Sequence, residues 1–315
     1  MMDYLDFEKP AAALARTAVD LRRTGTAEAL VEAERLERRS DKLIDGLYAN
    51  LTPWQRTQVA RHAQRPRFSS YVAGLFDEFV PLAGDRAFAD DQAIIGGFAR
   101  LDGRRIIVIG HEKGSTTATR VKHNFGMGRP EGYRKAIRLM GLAARFGLPV
   151  VTLVDTAGAF PGIDAEARGQ AEAIARATEA TLALPVPVVA AVVGEGGSGG
   201  AIALAAGNRV LMFEHAVYSV ISPEGCASIL WRNGSEGNEA AMAAEAMRIT
   251  APDLLRLGVI DRIVPEPPGG AHRAPAQAIA SLRDVLIEEV AGLTGKDGES
   301  LRRERRTKFL AIGAL

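Results

Sequence analysis

Apolar residues in the first fifty positions recur at helical spacing. They lie one or two turns apart among alternating glutamate, arginine and lysine, which predicts a helical hairpin with a narrow apolar seam. Such a hairpin can pack on a core of its own or contact another subunit, and the pattern leaves both interpretations open. The apolar positions are Leu14, Ala18 and Leu21, followed by Leu36, Leu43 and Leu47.

From residue 92 onward, apolar runs of strand length alternate with helical patterns. Runs 93–101 and 105–110 are joined through Asp102-Gly103, which is a β-hairpin signal. The alternation that follows predicts a largely parallel sheet covered by helices. Its predicted segments are helix 131–146, strand 148–154, helix 164–184, strand 186–193, helix 201–206 and strand 209–213.

The last third of the chain returns to helices. Ser222-Pro223-Glu224 predicts a helix start, because serine caps, proline fits the first turn and glutamate complements the positive helix end. The proline- and glycine-rich residues 265–273 predict an irregular crossing before the carboxyl-terminal helices.

Composition excludes several classes of protein. The chain of 315 residues is 47% hydrophobic and 24% charged, and no run approaches the roughly 18 apolar residues that a membrane span needs. Its first residues lack the basic-then-apolar order of a secretory signal, so we expect a cytoplasmic protein. A net charge of +1 does not favour nucleic-acid binding. We interpret the basic cluster 302–308 as a solvated or subunit-facing helix surface.

No metal site is predicted in this chain. Cys226, the single cysteine, cannot form an internal disulfide or a cysteine-based zinc site. The histidines lack metal-ligand spacing to a second ligand, so we interpret them as structural.

The densest signal is the glycine run Gly194-Glu195-Gly196-Gly197-Ser198-Gly199-Gly200-Ala201, between a predicted buried strand and a short helix. Glycines let backbone amides approach a ligand closely, and a helix start directs amides at negative charge. The run therefore predicts a site for an anion. Tight strand-to-helix packing without a ligand is the structural alternative.

Three short motifs match or nearly match this run. The dinucleotide pattern fits Gly194, Gly196 and Gly199, but the following helix is too short and no first βαβ unit surrounds it. A P-loop fails, because no Gly-Lys-Ser/Thr closes the run. The nucleophile-elbow pattern around Ser198, with Asp261 and His272 downstream, makes a serine hydrolase the alternative function.

A second segment, Asp155-Thr156-Ala157-Gly158-Ala159-Phe160-Pro161-Gly162, also follows a buried strand and precedes a helix. Amides from two such segments on neighbouring strand ends can converge on one oxygen. An oxyanion hole without an obvious side-chain base indicates chemistry in which substrate or cofactor supplies its own base.

Taken together, segments along nearly the whole chain resemble the alpha subunits of acetyl-CoA carboxylase carboxyltransferase. The second segment departs from the family pattern, which usually has proline and tyrosine where this chain has Ala157 and Phe160, so a hydroxyl contact from position 160 is absent. Residues 233–241 resemble a variable loop. Besides the glycine run, the matching segments are YLDFE (4–8), LAGDR (82–86), NFGM (124–127), PEGYRKA (130–136), EAIAR (172–176), YSVISPEGCASILW (218–231) and GGAHR (269–273).

The resemblance implies an α/β, crotonase-like fold, a spiral of ββα units with an N-terminal helical extension and C-terminal helices. We expect an N-terminal helical arm over 1–60, a carboxyltransferase core over 61–275 and C-terminal helices over 276–315. It also implies an α2β2 assembly whose beta subunit carries a zinc ribbon and most of the CoA site.

The implied reaction moves a carboxyl group from carboxybiotin to acetyl-CoA and yields malonyl-CoA, the first committed step of fatty acid synthesis. Biotin would arrive on a biotin carboxyl carrier protein served by biotin carboxylase, in an ATP-dependent complex, and would act as the base. The amides of Gly199 and Gly200 would hold its ureido oxygen. The expected substrate-binding residues are Gly158, Ala159, Phe160, Pro161, Gly162, Gly196, Gly197, Ser198 and Ala201.

Overall fold

Within residues 3–231 and 237–313, which this computed structural model describes, the chain forms fourteen α-helices and one eight-stranded sheet. Within the segment 233–241, which resembles a variable loop, residues 233–236 lie outside this range. The helices are α1 Lys9–Thr24, α2 Ala27–Ala49, α3 Pro53–Ala60, α4 Phe68–Leu75, α5 Thr117–Lys122, α6 Pro130–Phe146, α7 Ile163–Ala167, α8 Gln170–Ala183, α9 Ser198–Ala205, α10 Pro223–Leu230, α11 Glu239–Ala246, α12 Ala251–Arg256, α13 Pro275–Leu293 and α14 Gly298–Ala311. The strands are β1 Glu78–Pro81, β2 Ile94–Leu101, β3 Arg104–His111, β4 Val150–Thr156, β5 Val188–Gly197, β6 Arg209–Phe213, β7 Val217–Ser219 and β8 Arg262–Val264.

The sheet combines an antiparallel edge with a parallel centre. β1, β2 and β3 pair antiparallel, β3, β4, β5, β6 and β8 follow as parallel neighbours, and β7 pairs with the end of β5. The predicted hairpin is confirmed. Asp102 and Gly103 link β2 to β3 with φ angles of 49° and 75°, the left-handed values that suit a tight hairpin. The predicted parallel order from β4 to β6 is also confirmed.

The helices that cover the sheet follow the predicted pattern in part. α6 matches the predicted helix, and it buries Tyr133 and Met140 against the sheet. The single helix predicted over 164–184 is wrong, because the chain forms α7 and α8 instead. Between them Gly169 adopts a φ of 80°, a left-handed conformation that interrupts the helix.

Strand β5 is longer than the sequence predicts. The sequence predicts an end at residue 193, but the strand continues to Gly197, and each of its ten residues is buried. The predicted glycine loop is therefore the end of a strand followed directly by α9, which begins at Ser198 rather than at residue 201. Glycine at these positions hid the strand because its propensity for strands is low.

The predicted helical hairpin is confirmed as α1 and α2, which follow each other through Gly25. Glu8, just before α1, is fully buried and accepts hydrogen bonds of 2.9 Å from Tyr48 and 2.9 Å from Arg273. These bonds hold the hairpin to the crossing at 265–273. The hairpin also shares an apolar cluster with Leu51 and with Val59 of α3, and its own members of that cluster are Ala11, Ile44 and Tyr48.

The basic cluster near the carboxyl terminus is only partly exposed to solvent. Arg302, Arg303 and Arg306 are exposed on α14, but Arg305 is fully buried. The interpretation of the cluster as a solvated or subunit-facing surface is wrong for Arg305, whose guanidinium donates to backbone carbonyls at the end of α8 and beyond it. Among the described helices, none combines the length and the apolar character that crossing a bilayer requires.

Candidate active site

The glycine run and residues 155–162 lie side by side at the carboxyl ends of two neighbouring strands. β4 and β5 are parallel, and beyond a bulge their pairing continues between Thr156 and Gly196. A Cβ at Gly197 would overlap the carbonyl group of Ala157, so only glycine permits this approach. The two segments are therefore neighbours in the structure, and the convergence of their amides on one oxygen stays a prediction.

The start of α9 packs on the second segment just as closely. A Cβ at Gly200 would lie 2.7 Å from the nitrogen of Ala159 and 2.7 Å from the carbonyl carbon of Gly158. Gly158 itself has a φ of 150°, and its N–H donates to the Thr156 hydroxyl over 3.0 Å. The two segments therefore hold each other through backbone contacts.

A sharp turn at Ser198 carries the chain from β5 into α9. Ser198 has a φ of 55°, a left-handed value that is uncommon for a residue with a Cβ. The preceding Gly197 offers no side chain to cap the helix. The N–H groups of Ser198, Gly199 and Gly200 belong to the first helical turn, which has no acceptors within its own helix. Together with the positive end of the helix dipole, they favour a negatively charged oxygen.

A cleft of about 750 Å³ opens in front of these amides. Of the residues predicted for the site, Gly196, Gly197, Gly200 and Ala201 are buried beside the cleft, and Gly162 is not part of its lining. The predicted residues that do line it are Gly158, Ala159, Phe160, Pro161, Ser198 and Gly199. Other lining residues include Arg61, Gln170, Ile174, Glu195, Val220, Ile221, Ser222 and Glu224.

A chain of ion pairs supports the cleft from behind. Asp155 is buried and lies 2.8 Å from Lys113 and 3.3 Å from Arg67. It also accepts a hydrogen bond of 3.0 Å from the N–H of Glu195. Burial raises the pKa of Asp155, but the charges of Lys113 and Arg67 outweigh it and lower the pKa below its usual value. A charged Asp155 thus ties β4 to the glycine end of β5.

Arg61 extends this network to the rim of the cleft. It contacts Glu195 at 2.6 Å and Glu224 at 2.5 Å. Burial raises the pKa of Glu224, whereas its hydrogen bond to Arg61 lowers it, and the net pKa is below the usual value. A carboxylate with a lowered pKa is a weak base. Glu224 is therefore not suited to removing a proton from a carbon acid.

Sequence reasoning missed this network. Asp155 and Glu195 belong to the two glycine-rich segments and could have indicated the network, since a charged residue within such a segment is unusual. Lys113 and Arg61 lie far away in the chain and carry no local pattern that could have identified them.

A second buried pair fixes the segment that carries Arg61. The Arg65 guanidinium contacts the two carboxylate oxygens of Glu266 at 2.8 Å and 2.6 Å, and its Nε donates to the carbonyl of Val193 over 3.0 Å. Both side chains are almost fully buried. Because Val193 directly precedes the glycine run, this pair holds β5 where its amides enter the site.

Glutamine in place of Glu266 should destabilise the chain strongly at neutral pH and weakly in acid. Burial raises the pKa of Glu266, but Arg65 outweighs it and lowers the pKa from 4.5 to about 2. The pair's contribution is therefore complete above about pH 4.5 and is lost as the pH falls through about 2. We expect a deficit in unfolding free energy of about 3 kcal/mol at pH 7. Urea titrations at several pH values measure it, and a deficit equal at pH 7 and in acid would contradict the prediction.

The residues of the proposed serine hydrolase do not come together. Asp261 accepts a hydrogen bond from the N–H of Val210 and pairs with Lys308. His272 is buried and stacks on His62, with ring centroids 3.9 Å apart. Among the described residues that line the cavities next to Ser198, none is a histidine. The hydrolase interpretation is therefore not supported.

Over the described parts of the chain, no three His, Cys, Asp or Glu side chains are grouped so that they could hold a metal ion.

Solved structures with similar coordinates establish the fold. A Pseudomonas malonate decarboxylase hetero-tetramer in complex with coenzyme A matches with a TM-score of 0.59 and 18% identity, over 75% of this chain and 90% of that one. Transcarboxylase 12S matches with a TM-score of 0.55 and 20% identity, over 69% of this chain and 41% of that longer one. The predicted crotonase-like α/β fold is confirmed.

Sequence comparisons identify the family. A family model described as acetyl co-enzyme A carboxylase carboxyltransferase-like matches residues 4–313. The acetyl-coenzyme A carboxylase carboxyl transferase alpha subunits of Rhizorhabdus wittichii and Zymomonas mobilis are 68% and 62% identical, over 99% of this chain and 100% of each relative. The chain therefore belongs to the family of acetyl-CoA carboxylase carboxyltransferase alpha subunits, which are biotin-dependent enzymes.

Proposed function

We propose that the cleft holds the ureido end of carboxybiotin while the carboxyl group passes to acetyl-CoA. The observation that carries this proposal is the convergence of two amide-bearing backbone segments on one cleft. The amides of Gly199 and Gly200 donate to the ureido oxygen, at the positive end of α9. Each such donor contributes about 3 kcal/mol to stabilising the transition state.

The lining of the cleft supports biotin as its ligand. Gly199 is half-exposed, and a Cβ there would approach only the side chain of Ile174, at 3.3 Å, so the bare backbone faces the cleft. Phe160, Ile174 and Val220 supply apolar surface to the fused rings. When bound, biotin supplies the carboxyl group and a basic ureido nitrogen. The chain's own task is then to orient the ureido group and hold its oxygen.

Several neighbouring residues keep the second amide segment in place for this task. The Gln170 side chain donates to the carbonyls of Phe160 and Gly128, over 2.9 Å each. The Arg129 guanidinium lies 4.5 Å from the centre of the Phe160 ring. These contacts order the loop before the substrate arrives, which reduces the entropic cost of binding.

The partners in this proposal are separate chains. A beta subunit with a zinc ribbon completes an α2β2 assembly and holds most of the acetyl-CoA, a carrier protein brings biotin, and biotin carboxylase loads it. Exposed apolar side chains near the cleft, including Ile163 at 91% and Val220 at 79% exposure, support a contact with a second subunit.

Copurification from the source organism tests this assembly. A zinc-containing chain should accompany this one, and the pair should carboxylate free biotin with malonyl-CoA as donor, whereas either chain alone should be inactive. Full activity of this chain alone, or no activity of the isolated pair, would contradict the proposal.

Alanine at Ser198 should leave carboxyl transfer within about twofold of wild type, because the hydroxyl makes no hydrogen bond to a described residue and the site uses backbone donors. The kcat of the complex with free biotin measures this. A fluorophosphonate probe should leave Ser198 unlabelled. Loss of activity together with labelling would favour the hydrolase instead.

A further inference from the structure

Two polar side chains are buried next to the start of α9. Tyr133, on α6, is fully buried, and His111, the last residue of β3, is 1% exposed. Within the part of the chain that the structure describes, neither the Tyr133 hydroxyl nor either ring nitrogen of His111 makes a hydrogen bond. Burying a polar group without a partner costs free energy, so both groups call for a functional explanation.

The Tyr133 hydroxyl lies where the glycine run and the second segment meet. A Cβ at Gly200 would be 3.0 Å from the hydroxyl oxygen, and the same Cβ would be 2.7 Å from the nitrogen of Ala159. The hydroxyl also borders Gly128, where a Cβ would be 3.1 Å away. The Gly128 carbonyl accepts the N–H of Phe160 over 3.0 Å, so Gly128 helps to hold the second segment. One buried phenol thus borders both segments and one of their supports.

His111 approaches Gly200 from the sheet. The pairing of β3 with β4 extends to Gly110 and Leu153, and His111 follows at the carboxyl end of β3. Its ring lies close enough to the backbone of Gly200 and of Leu153 for both to raise its pKa, although neither makes a hydrogen bond to it. The first turn of α9 therefore lies against polar groups from β3 as well as from α6.

Both side chains are uncharged at neutral pH. Burial lowers the pKa of His111 from 6.5 to about 4, with Asp155 opposing this effect and Lys113 adding to it. Burial raises the pKa of the Tyr133 hydroxyl, and the charge of Asp91 raises it further. A neutral imidazole and a protonated phenol each offer one proton and an acceptor lone pair. They can therefore bond peptide groups without adding charge to the site.

We propose that Tyr133 and His111 are positioning residues for carboxyl transfer, which fix the peptide groups around Gly200 while its amide holds the ureido oxygen. This inference rests on the proposed function of the cleft. Neither side chain lines the cleft, so neither touches the reacting atoms. Negative charge that develops on the ureido oxygen polarises the Gly200 amide, and hydrogen bonds from the hydroxyl and the imidazole to the surrounding backbone strengthen with it. Their contribution belongs to the transition state, so it affects kcat.

In the complex with the beta subunit, Tyr133→Phe should lower the kcat for carboxylation of free biotin by about five- to tenfold. The KM for malonyl-CoA should stay within about twofold of wild type, because the hydroxyl does not line the cleft. The urea midpoint of unfolding should not fall, because the hydroxyl has no hydrogen bond to a described residue that could be lost. A loss of kcat without a loss of stability distinguishes positioning from a structural role.

Tyr71→Phe controls for the loss of a buried hydroxyl. Tyr71 is also fully buried, and over the described ranges its hydroxyl has no partner either. It packs on Phe213, with ring centroids 6.2 Å apart, and it lines neither the cleft nor the cavity beside Ser198. The same chemical change at Tyr71 should therefore leave kcat at the wild-type value.

His111 provides an independent test. His111→Leu removes both ring nitrogens and should lower kcat by a similar factor, whereas His111→Gln keeps a donor and an acceptor and should retain more of it. A ring that only fills space would not show this order, because leucine fills the space as well.

A wild-type kcat for Tyr133→Phe would overturn the inference. So would a joint fall of kcat and urea midpoint, or an equal loss of activity in Tyr71→Phe, since the hydroxyl would then only support the fold. Equal activity of His111→Leu and His111→Gln would exclude the imidazole from this role. In each case an active wild-type complex leaves the proposed function standing, whereas a wild-type complex without transfer activity would refute that function and the inference with it.

Discussion

Replacing Gly200 by alanine should lower carboxyl transfer in the complex by about a hundredfold or more. The new Cβ would lie 2.7 Å from both the nitrogen of Ala159 and the carbonyl carbon of Gly158. These are backbone atoms, so they cannot rotate away as the end of a side chain can. α9 must move off the second segment, which displaces the amides at its start from the cleft position that we propose. The kcat with malonyl-CoA and free biotin measures the loss.

Gly141→Ala is the matched control for this substitution. Gly141 is exposed in the middle of α6, and a Cβ there would meet nothing within 4 Å. Its alanine variant should keep the wild-type kcat and unfold at slightly higher urea, by about 0.4–1 kcal/mol. A Gly200→Ala complex with wild-type kcat would show that the amides are not positioned as we propose.

The glycine run illustrates how far sequence reasoning reaches. Its position between a buried strand and a helix start was visible, because the strand before it is rich in valine and alanine. The role of each individual glycine could not be predicted from the sequence. Gly194, Gly196, Gly197 and Gly200 lie too close to neighbouring atoms for a Cβ, whereas only Gly199 borders the cleft. The packing interpretation therefore holds for these four glycines, and the ligand interpretation is the proposal made for the amides of Gly199 and Gly200.

Helices and strands whose apolar residues follow a regular period could be predicted from the sequence. The roles of isolated charged residues near the site could not. The β2–β3 hairpin, α6 and the N-terminal helices follow from periodicity and turn residues. Lys113, Arg61 and Arg65 resemble ordinary surface residues in the sequence. They become part of the site only because the sheet brings Asp155, Glu195 and Val193 to them, and those contacts span between 42 and 134 positions of the chain.

Substitution of Arg305 by methionine should destabilise the chain by about 3 kcal/mol or more. Arg305 is fully buried, and its guanidinium pairs with no carboxylate in the described structure. Burial and the nearby Arg302 lower its pKa to about 10, so it stays charged at neutral pH. Methionine fills much of the same volume but removes the five hydrogen bonds that the guanidinium donates. Their acceptors are the carbonyls of Thr181, Leu182, Leu184 and Val186, at 2.6–3.1 Å, and the side chain of Asn208 at 2.6 Å.

Arg306→Met is the control for this prediction, because it removes the same charge from the next, exposed position of α14. Its free energy of unfolding in urea should stay within about 0.5 kcal/mol of wild type. Arg305 binds the carboxyl end of α8, while Gln170 at the other end of α8 holds the carbonyl of Phe160 beside the cleft. The Arg305 variant should therefore lose activity only at temperatures where it unfolds. Equal stability of the two variants would mean that the carbonyls at the end of α8 find other donors.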